Sequence, residues 1–155
     1  MNYGLGKKAE EKIREWLDRP EDGYCFDRIP DKMTGFYGDA NICDFTLYKY
    51  PEFYYIESKS TENDRFDFSL ISETQHDGLL KKSKMEHVHG FVIVLFILHK
   101  RAFLLDINDI KKLEDEGKKS INIKKIDKWT IPYKEIKTVP SRKQMLDYAK
   151  EGNVL

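Results

Sequence analysis

Cysteine is scarce in this sequence. The 155 residues include only Cys25 and Cys43, and these two form no C-x-x-C pair. Two cysteines are too few for the disulfide framework that holds many small secreted domains together. We therefore predict a protein of the reducing cytoplasm in which both cysteines are small, buried hydrophobic residues.

Long apolar runs are also absent. The longest run, Phe91–Leu98, is far shorter than the ~20 apolar residues that a membrane-spanning helix needs. The first residues, M-N-Y-G-L-G-K-K, lack the apolar core of a signal peptide. We expect a cytoplasmic protein without a membrane partner.

Charge of one sign is not in excess. Lys and Arg together number 27, as do Asp and Glu, and the sequence pI is about 6.9. A surface that binds a polyanion must therefore be a local patch, because bulk charge neither predicts nor excludes a nucleic-acid partner. The length fits one domain over residues 1–155.

The clearest periodic segment is residues 7–19, which end just before Pro20. Its apolar residues recur at helical spacing and predict an amphipathic helix. At about 100° per residue, Glu10 falls at the edge of the apolar stripe, where it faces the expected sheet. The stripe consists of Ala9, Ile13, Trp16 and Leu17.

The rest of the chain alternates strand and helix patterns. The continuous apolar run at 91–98 indicates a central strand that is covered on both faces. The order of elements predicts an α/β or α+β protein with a small mixed β-sheet flanked by helices. The other predicted elements are an irregular connection or short hairpin at about 20–41, strands at 42–48 and 52–60 that turn at Tyr50-Pro51, a helix at 69–86, a strand at 102–107, a short polar helix at 108–116, a possible strand at 121–126, and a helix at 141–150 with a candidate capping box of Ser141 and Gln144.

One charged pair needs an explanation because it ends an apolar strand. In E-F-Y-Y-I-E-S-K, strand alternation places Glu57 and Lys59 on one face. Asp44 lies 13 positions before Glu57, and adjacent antiparallel strands can bring the two carboxylates side by side. Oxygen ligands of this kind suit Mg²⁺ or Mn²⁺, and the Ser58 carbonyl could add a third.

Three side chains could complete this site. Lys59 near a metal can orient or deprotonate a water that attacks a phosphodiester. Glu10 from the first helix and Gln75 from the second could support the metal and the water. Gln75 could equally be a buried amide satisfied by backbone, and E-x-K alone is most often a surface ion pair. On the second helix, the expected stripe is Ile71, Gln75, Leu79 and Met85.

These residues resemble the PD-(D/E)xK nucleases and, within them, the RecU-type Holliday junction resolvases. Asp44 stands at the signature Asp, with Cys43 where a stricter motif has proline, and E-S-K follows at Glu57. The resemblance covers most of the chain, with specific motif spacing and looser similarity between motifs. Its other segments are G-K-K-A-E at 6–10, S-E-T-Q-H-D at 72–77, G-F-V-I-V-L-F, A-F-L-L-D-I and E-G-K-K-S-I at 116–121.

The resemblance implies a restriction-endonuclease-like core and a homodimer that nicks opposed strands of a four-way DNA junction with Mg²⁺ or Mn²⁺. Asp44, Glu57 and the Ser58 carbonyl would hold the metal, Lys59 would activate water, and Glu10 and Gln75 would support the site. A recombinase is a possible partner. The long basic stalk of RecU-type proteins is replaced here by the short, charge-balanced loop at about 20–41.

Local basic clusters are candidates for DNA contact, although a charge run is as often a solvated face. The preferred candidates are Arg28, Lys32, Lys81, Lys82 and Lys84; further lysines cluster at 111–112, 118–119 and 124–128. His76 adjoins Gln75 and is expected near DNA. His87 and His89 have no cysteine or acidic ligand nearby in the sequence, so we interpret them as solvent-exposed histidines.

Two alternatives to a junction resolvase remain open. The chain could be a PD-(D/E)xK endonuclease that acts on another DNA structure or sequence. It could also be a non-catalytic DNA-binding module of recombination. Asp44, Glu57 and Lys59 together argue against the second alternative.

Overall fold

A computed structural model describes residues 3–30 and 41–137 of the protein. Three α-helices and eight β-strands account for most of this part. None of the helices in it is long and apolar enough to span a membrane. The elements are α1 (Tyr3–Leu17), β1 (Cys25–Arg28), β2 (Phe45–Lys49), β3 (Glu52–Thr61), β4 (Arg65–Asp67), α2 (Glu73–Lys82), β5 (Val88–Phe96), β6 (Arg101–Asp106), α3 (Ile107–Asp115), β7 (Ser120–Asn122) and β8 (Lys134–Lys137).

The main sheet has six strands in the order β1-β2-β3-β5-β6-β8. β3 and β5 run parallel, whereas every other neighbouring pair in this sheet is antiparallel. The predicted α/β class with a small mixed sheet is therefore confirmed. β4 and β7 form a separate two-stranded ribbon.

Two apolar layers cover the main sheet, as the continuous apolar run of β5 predicts. On one face, α1 packs through Ile13, Trp16 and Leu17 against a cluster that includes Ile56 of β3 and Ile93 of β5. α2 and α3 cover the other face, where the fully buried side chains include Leu79, Val92, Phe103, Ile107 and Ile110. Neighbouring residues of β3 and β5 thus point into different layers.

Several predicted elements have different bounds in the structure. The second helix ends at Lys82, four residues earlier than predicted, so Met85 is exposed rather than on the buried stripe. Most of 121–126 is a 3₁₀ segment, Ile123–Lys128, and only Ser120–Asn122 is strand. Strand β1 lies within the predicted connection, and the structure adds β4 and β8. The predicted helix at 141–150 lies outside the described residues.

The two cysteines behave differently. Cys43 is buried, and burial raises the pKa of its thiol to about 12. Cys25 is exposed on the edge strand β1, so the prediction that both are buried is wrong for this residue. An edge strand presents alternate side chains to solvent, and Cys25 occupies one of those positions.

Gly90 allows α2 to approach β5 closely. A β-carbon at Gly90 would lie 2.8 Å from the backbone oxygen of Leu79 and 3.1 Å from Cγ2 of Ile107. We expect Gly90→Ala to lower the free energy of unfolding by about 1–3 kcal/mol, because the helix backbone must move away from the sheet. Urea denaturation measures this loss, and an unchanged midpoint would contradict the close approach.

Candidate active site

The β2–β3 hairpin brings two carboxylates together. Phe45 pairs with Ile56, so Asp44, which directly precedes β2, lies beside Glu57. The backbone N–H of Asp44 donates to the Ile56 carbonyl at 3.1 Å, and Asp44 Oδ2 accepts from the Ser58 N–H at 3.0 Å. The Asp44 carboxylate is therefore fixed against the strand that carries Glu57.

Glu57 is a buried carboxylate whose hydrogen-bonding capacity is only half used. Its exposed fraction is 2%. Oε1 accepts from Gln75 Nε2 at 3.0 Å and lies 3.3 Å from Lys59 Nζ. Oε2 is buried, and within residues 3–30 and 41–137 it has no hydrogen-bond partner. A buried oxygen without a donor is costly, which is a reason to expect a ligand there.

The electrostatics of Glu57 also favour a bound cation. The pKa of Glu57 is raised to about 8, first by burial and then by the charge of Asp44, whereas Lys59 acts to lower it. Two carboxylates in one desolvated site cannot both ionise easily unless a cation joins them. Without such a cation, the raised pKa favours the protonated form of Glu57.

Gln75 is held in place by the start of α2. Its side-chain Oε1 accepts from the Ser72 N–H at 3.1 Å, and its own N–H donates to Ser72 Oγ at 3.2 Å. This reciprocal pattern is a capping box, and it leaves Nε2 of the amide directed at Glu57. The Gln75 amide therefore does both things that were expected as alternatives. Its oxygen accepts from backbone, and its nitrogen donates to Glu57. The sequence pattern S-x-x-Q at 72–75 is the signal from which this helix start could have been predicted.

Lys59 lies on the same face of β3 as Glu57. Its side chain is 22% exposed and reaches the carboxylate from the solvent side of the pair. The structure thus brings together Asp44, Glu57, Lys59 and Gln75, as the spacing predicts. For Ser58, the structure gives the contact of its N–H with Asp44, and metal binding by its carbonyl stays a prediction.

Glu10 has a different partner from the one expected. Its Oε2 lies 3.2 Å from Arg28 Nε, and Arg28 Nη1 donates to the Ile29 carbonyl at 2.6 Å. α1 packs on the face of the sheet that carries Ile56, opposite to the face of α2. Within the described ranges no hydrogen bond joins Glu10 to Glu57, so its supporting role stays a prediction. Arg28, a predicted DNA contact, is engaged inside the protein.

The predicted DNA-binding lysines of α2 lie away from the carboxylates. Lys81, Lys82 and Lys84 are exposed at or just after the C-terminal end of the helix. Lys81 is six residues beyond Gln75, or about 9 Å along the helix axis. Lys82 Nζ also sits 5.8 Å from the centre of the Tyr55 ring. Lys32 lies outside the described residues.

The histidines have acidic partners that the sequence did not reveal. Glu52 at the start of β3 contacts both His87 Nδ1 at 3.0 Å and His89 Nε2 at 2.6 Å. The expectation that no acidic residue lies near them is wrong, because parallel pairing of β3 and β5 places Phe53 opposite Val88. His76 lies between Asp77 and Glu114, at 2.9 and 2.6 Å, and thereby links α2 to α3.

The donor set suits a hard divalent cation. Mg²⁺ typically keeps several waters and binds through only one or two carboxylates. Asp44 and Glu57 supply that number, and Glu57 Oε2 is a buried acceptor in need of a partner. In the part of the chain that the structure describes, no cluster of three or more His, Cys, Asp or Glu residues could hold a metal. Such a cation would therefore depend on this pair, backbone oxygen and water.

Comparison with known proteins identifies the family. Residues 30–151 match the model of the RecU family, described as Recombination protein U. No curated protein sequence matches this chain. One similar solved structure is Hjc of Archaeoglobus fulgidus, a Holliday junction resolvase from an archaeal hyperthermophile; the two share 12% identity with a TM-score of 0.47, over 67% of this chain and 78% of that chain. Because the RecU match spans more than half of the sequence, the protein belongs to the RecU family of Holliday junction resolvases.

Proposed function

We propose that the protein is a divalent-metal-dependent endonuclease that resolves four-way DNA junctions by paired, symmetric nicks. The observation that carries the proposal is the unpartnered, buried Oε2 of Glu57 beside the carboxylate of Asp44. A cation there satisfies that oxygen and relieves the repulsion between the two carboxylates. Family membership supports junction DNA as the substrate.

Mg²⁺, or Mn²⁺ in its place, is the cation that this donor set favours. Asp44 and Glu57 would hold it, with the Ser58 carbonyl as a third oxygen ligand. When bound, it supplies Lewis-acid stabilisation of the charge that develops on the scissile phosphate.

The protein's own side chains supply orientation and proton transfer. The capping box fixes Gln75, and Gln75 in turn fixes one oxygen of Glu57, so the other oxygen keeps its direction. Lys59 lies on the solvent side of the pair, where its ammonium can orient the attacking water and its neutral amine form can take the proton of that water. Glu10 would support the site from α1.

Paired cleavage requires two such sites in a fixed relation. A two-fold homodimer presents identical sites to two opposed strands of a junction, which is the symmetry that paired nicks need. Cleavage of one strand only would leave the junction unresolved. The proposal therefore includes a homodimer, with a recombinase as a possible further partner.

A substrate comparison tests this function. A labelled mobile four-way junction and a linear duplex of the same sequence are incubated with the protein and Mg²⁺, and the cut sites are mapped. We expect nicks at symmetric positions in two opposed strands of the junction and none in the duplex. Equal cutting of both substrates would favour a nuclease of another specificity, and cutting of neither would favour a binding module.

Lys59→Ala separates the two roles assigned to this site. We expect the single-turnover cleavage rate to fall about 100-fold, because a proton-transfer group at the water is lost. Metal affinity should stay within a few-fold of the wild-type value, because Asp44 and Glu57 remain. Titration with Mn²⁺ measures that affinity, and loss of metal binding in this variant would show that the roles are wrongly assigned.

A further inference from the structure

A cleft lies between the β4–β7 ribbon and the 3₁₀ segment Ile123–Lys128. Its volume is about 400 Å³. The lining includes four basic side chains and one large aromatic side chain, namely Arg65, Lys118, Lys125, Lys128 and Trp129. We call it the ribbon cleft.

The ribbon cleft segregates positive charge in a chain that is neutral overall. Four cationic residues line it, and none of its lining residues is a carboxylate. The adjoining cleft between α2 and α3 is the reverse, with more acidic than basic residues; its carboxylates are Asp67, Glu73, Asp77 and Glu114. Balanced surfaces mix both signs, so this separation points to an anionic ligand.

Two of the four cations are not neutralised inside the protein. Arg65 lies 2.8 Å from Asp67, and Lys118 lies 3.8 Å from Glu116. Lys125 and Lys128 form no ion pair with any residue of the described ranges, and both are exposed. They are the charges that remain available to displace counterions from a phosphate backbone.

The local structure leaves these lysines exposed at the cleft. Ile123 is buried and Ile126 packs against the core, so the segment turns its basic residues outward. Lys124 bonds instead to Asp64, at 3.1 Å, and Asp64 also bonds to His99 at 2.5 Å. These contacts join the segment, through Asp64, to the turn Ile97–His99 that follows β5.

Trp129 forms a wall of the cleft without offering a donor. Its indole N–H donates to the Asn122 carbonyl at 3.0 Å, and its ring packs edge-on against Phe103 and Tyr133. A tryptophan whose only donor is already used cannot read a base edge. Because the available charges of the cleft are Lys125 and Lys128, the ligand chemistry that fits is a phosphodiester backbone.

The ribbon cleft is within reach of the DNA that the carboxylate site would cut. Arg65 follows Lys59 by six residues, so their Cα atoms are at most about 20 Å apart even on a fully extended chain. With 3.4 Å of rise per base pair, that distance corresponds to roughly six base pairs of duplex.

We propose that the ribbon cleft binds the phosphate backbone of a duplex arm of the DNA that the carboxylate site cuts, through Lys125 and Lys128. The inference rests on the proposed nuclease function and adds a second DNA contact to it. The contact holds the arm in register with the catalytic residues and carries no sequence preference.

The salt dependence of DNA binding tests the proposal without cleavage. Wild type, Lys125→Ala/Lys128→Ala and the matched control Lys111→Ala/Lys112→Ala bind a labelled four-way junction and a linear duplex in metal-free buffer over a range of NaCl concentrations. The control removes the same charge from α3, where acidic neighbours such as Asp109 and Asp115 offset it. Thermal melting confirms that both variants are folded, as their exposed positions predict.

We expect the cleft variant to bind about 30-fold more weakly at 0.15 M salt and to lose about 1.8 from the slope of log K against log salt, or ~0.9 per phosphate. The control should match wild type on both counts. An unchanged slope in the cleft variant, or an equal loss in the control, would overturn the proposal.

Neutral phosphates locate the contact. Single methylphosphonates are placed in turn along a junction arm; at the contacted phosphates they should weaken binding by wild type but have little further effect on the cleft variant. If the methylphosphonate lowered the affinity of the cleft variant as much as that of wild type, so that the two losses of affinity added, the proposal would be overturned. This coupling is measured by binding in metal-free buffer and needs no cleavage, so a wild-type protein that cuts no junction would refute the proposed function while the coupling is still measured.

Discussion

Glu57→Gln should lower the rate of junction cleavage by at least about 1,000-fold, which corresponds to roughly 4 kcal/mol of lost transition-state stabilisation. The amide keeps the size of the side chain but lacks the charge that holds a cation against Asp44. DNA affinity should stay within a few-fold of wild type, because phosphate contacts elsewhere supply most of it. Single-turnover cleavage and fluorescence anisotropy on the same labelled junction measure the two quantities. Asp44→Asn should behave alike.

Glu52→Gln is the matched control for this substitution. It makes the same chemical change on the same strand, but at the start of β3, where Glu52 contacts His87 and His89. Cleavage by this variant should equal that of wild type. If Glu57→Gln cut junctions at the wild-type rate, or if both variants lost activity equally, Glu57 would not be the metal-binding carboxylate.

The metal-free protein should become less stable as the pH rises from about 4.5 to 8. Burial and Asp44 raise the pKa of Glu57 from 4.5 to about 8 in the folded protein. In this interval the unfolded chain has released the proton that the folded protein still holds, so the free energy of unfolding falls with pH. The total loss attributable to Glu57 is on the order of 5 kcal/mol.

Urea denaturation in EDTA across this pH range measures the effect. Glu57→Gln should flatten the pH dependence and should be more stable than wild type at pH 8, because the amide carries no charge to desolvate. Mg²⁺ at 100 times its dissociation constant should restore about 2.7 kcal/mol to wild type at pH 8 and little to the variant. Parallel pH profiles of the two proteins would show that Glu57 ionises normally.

Much of the candidate site could be predicted because it depends on short-range patterns. Strand alternation places Glu57 and Lys59 on one face, and the turn at Tyr50-Pro51 fixes the register that sets Asp44 beside Glu57. The continuous apolar run around Val92 identifies a central strand covered on both faces. Each of these inferences needs only the local sequence and one hairpin.

The features that sequence reasoning missed depend on long-range placement. The two edge strands β1 and β8 are short and mixed in polarity, so they lack a clear period. The contact of Glu52 with His87 requires the parallel pairing of β3 with β5, which crosses α2. Helical periodicity places Glu10 on the correct face of α1, but it cannot tell which face of the sheet that helix covers or that Arg28 lies next to it.

The most direct test of the account is calorimetric titration of the wild-type protein and Glu57→Gln with Mn²⁺ at pH 8, without DNA. The account predicts a saturable site in the wild type, with proton release because Glu57 must ionise to bind the cation. It predicts at least a 100-fold weaker affinity in the variant, since one of two carboxylate ligands is lost. Equal Mn²⁺ binding by the two proteins would contradict the assignment of the Asp44–Glu57 pair as the metal site.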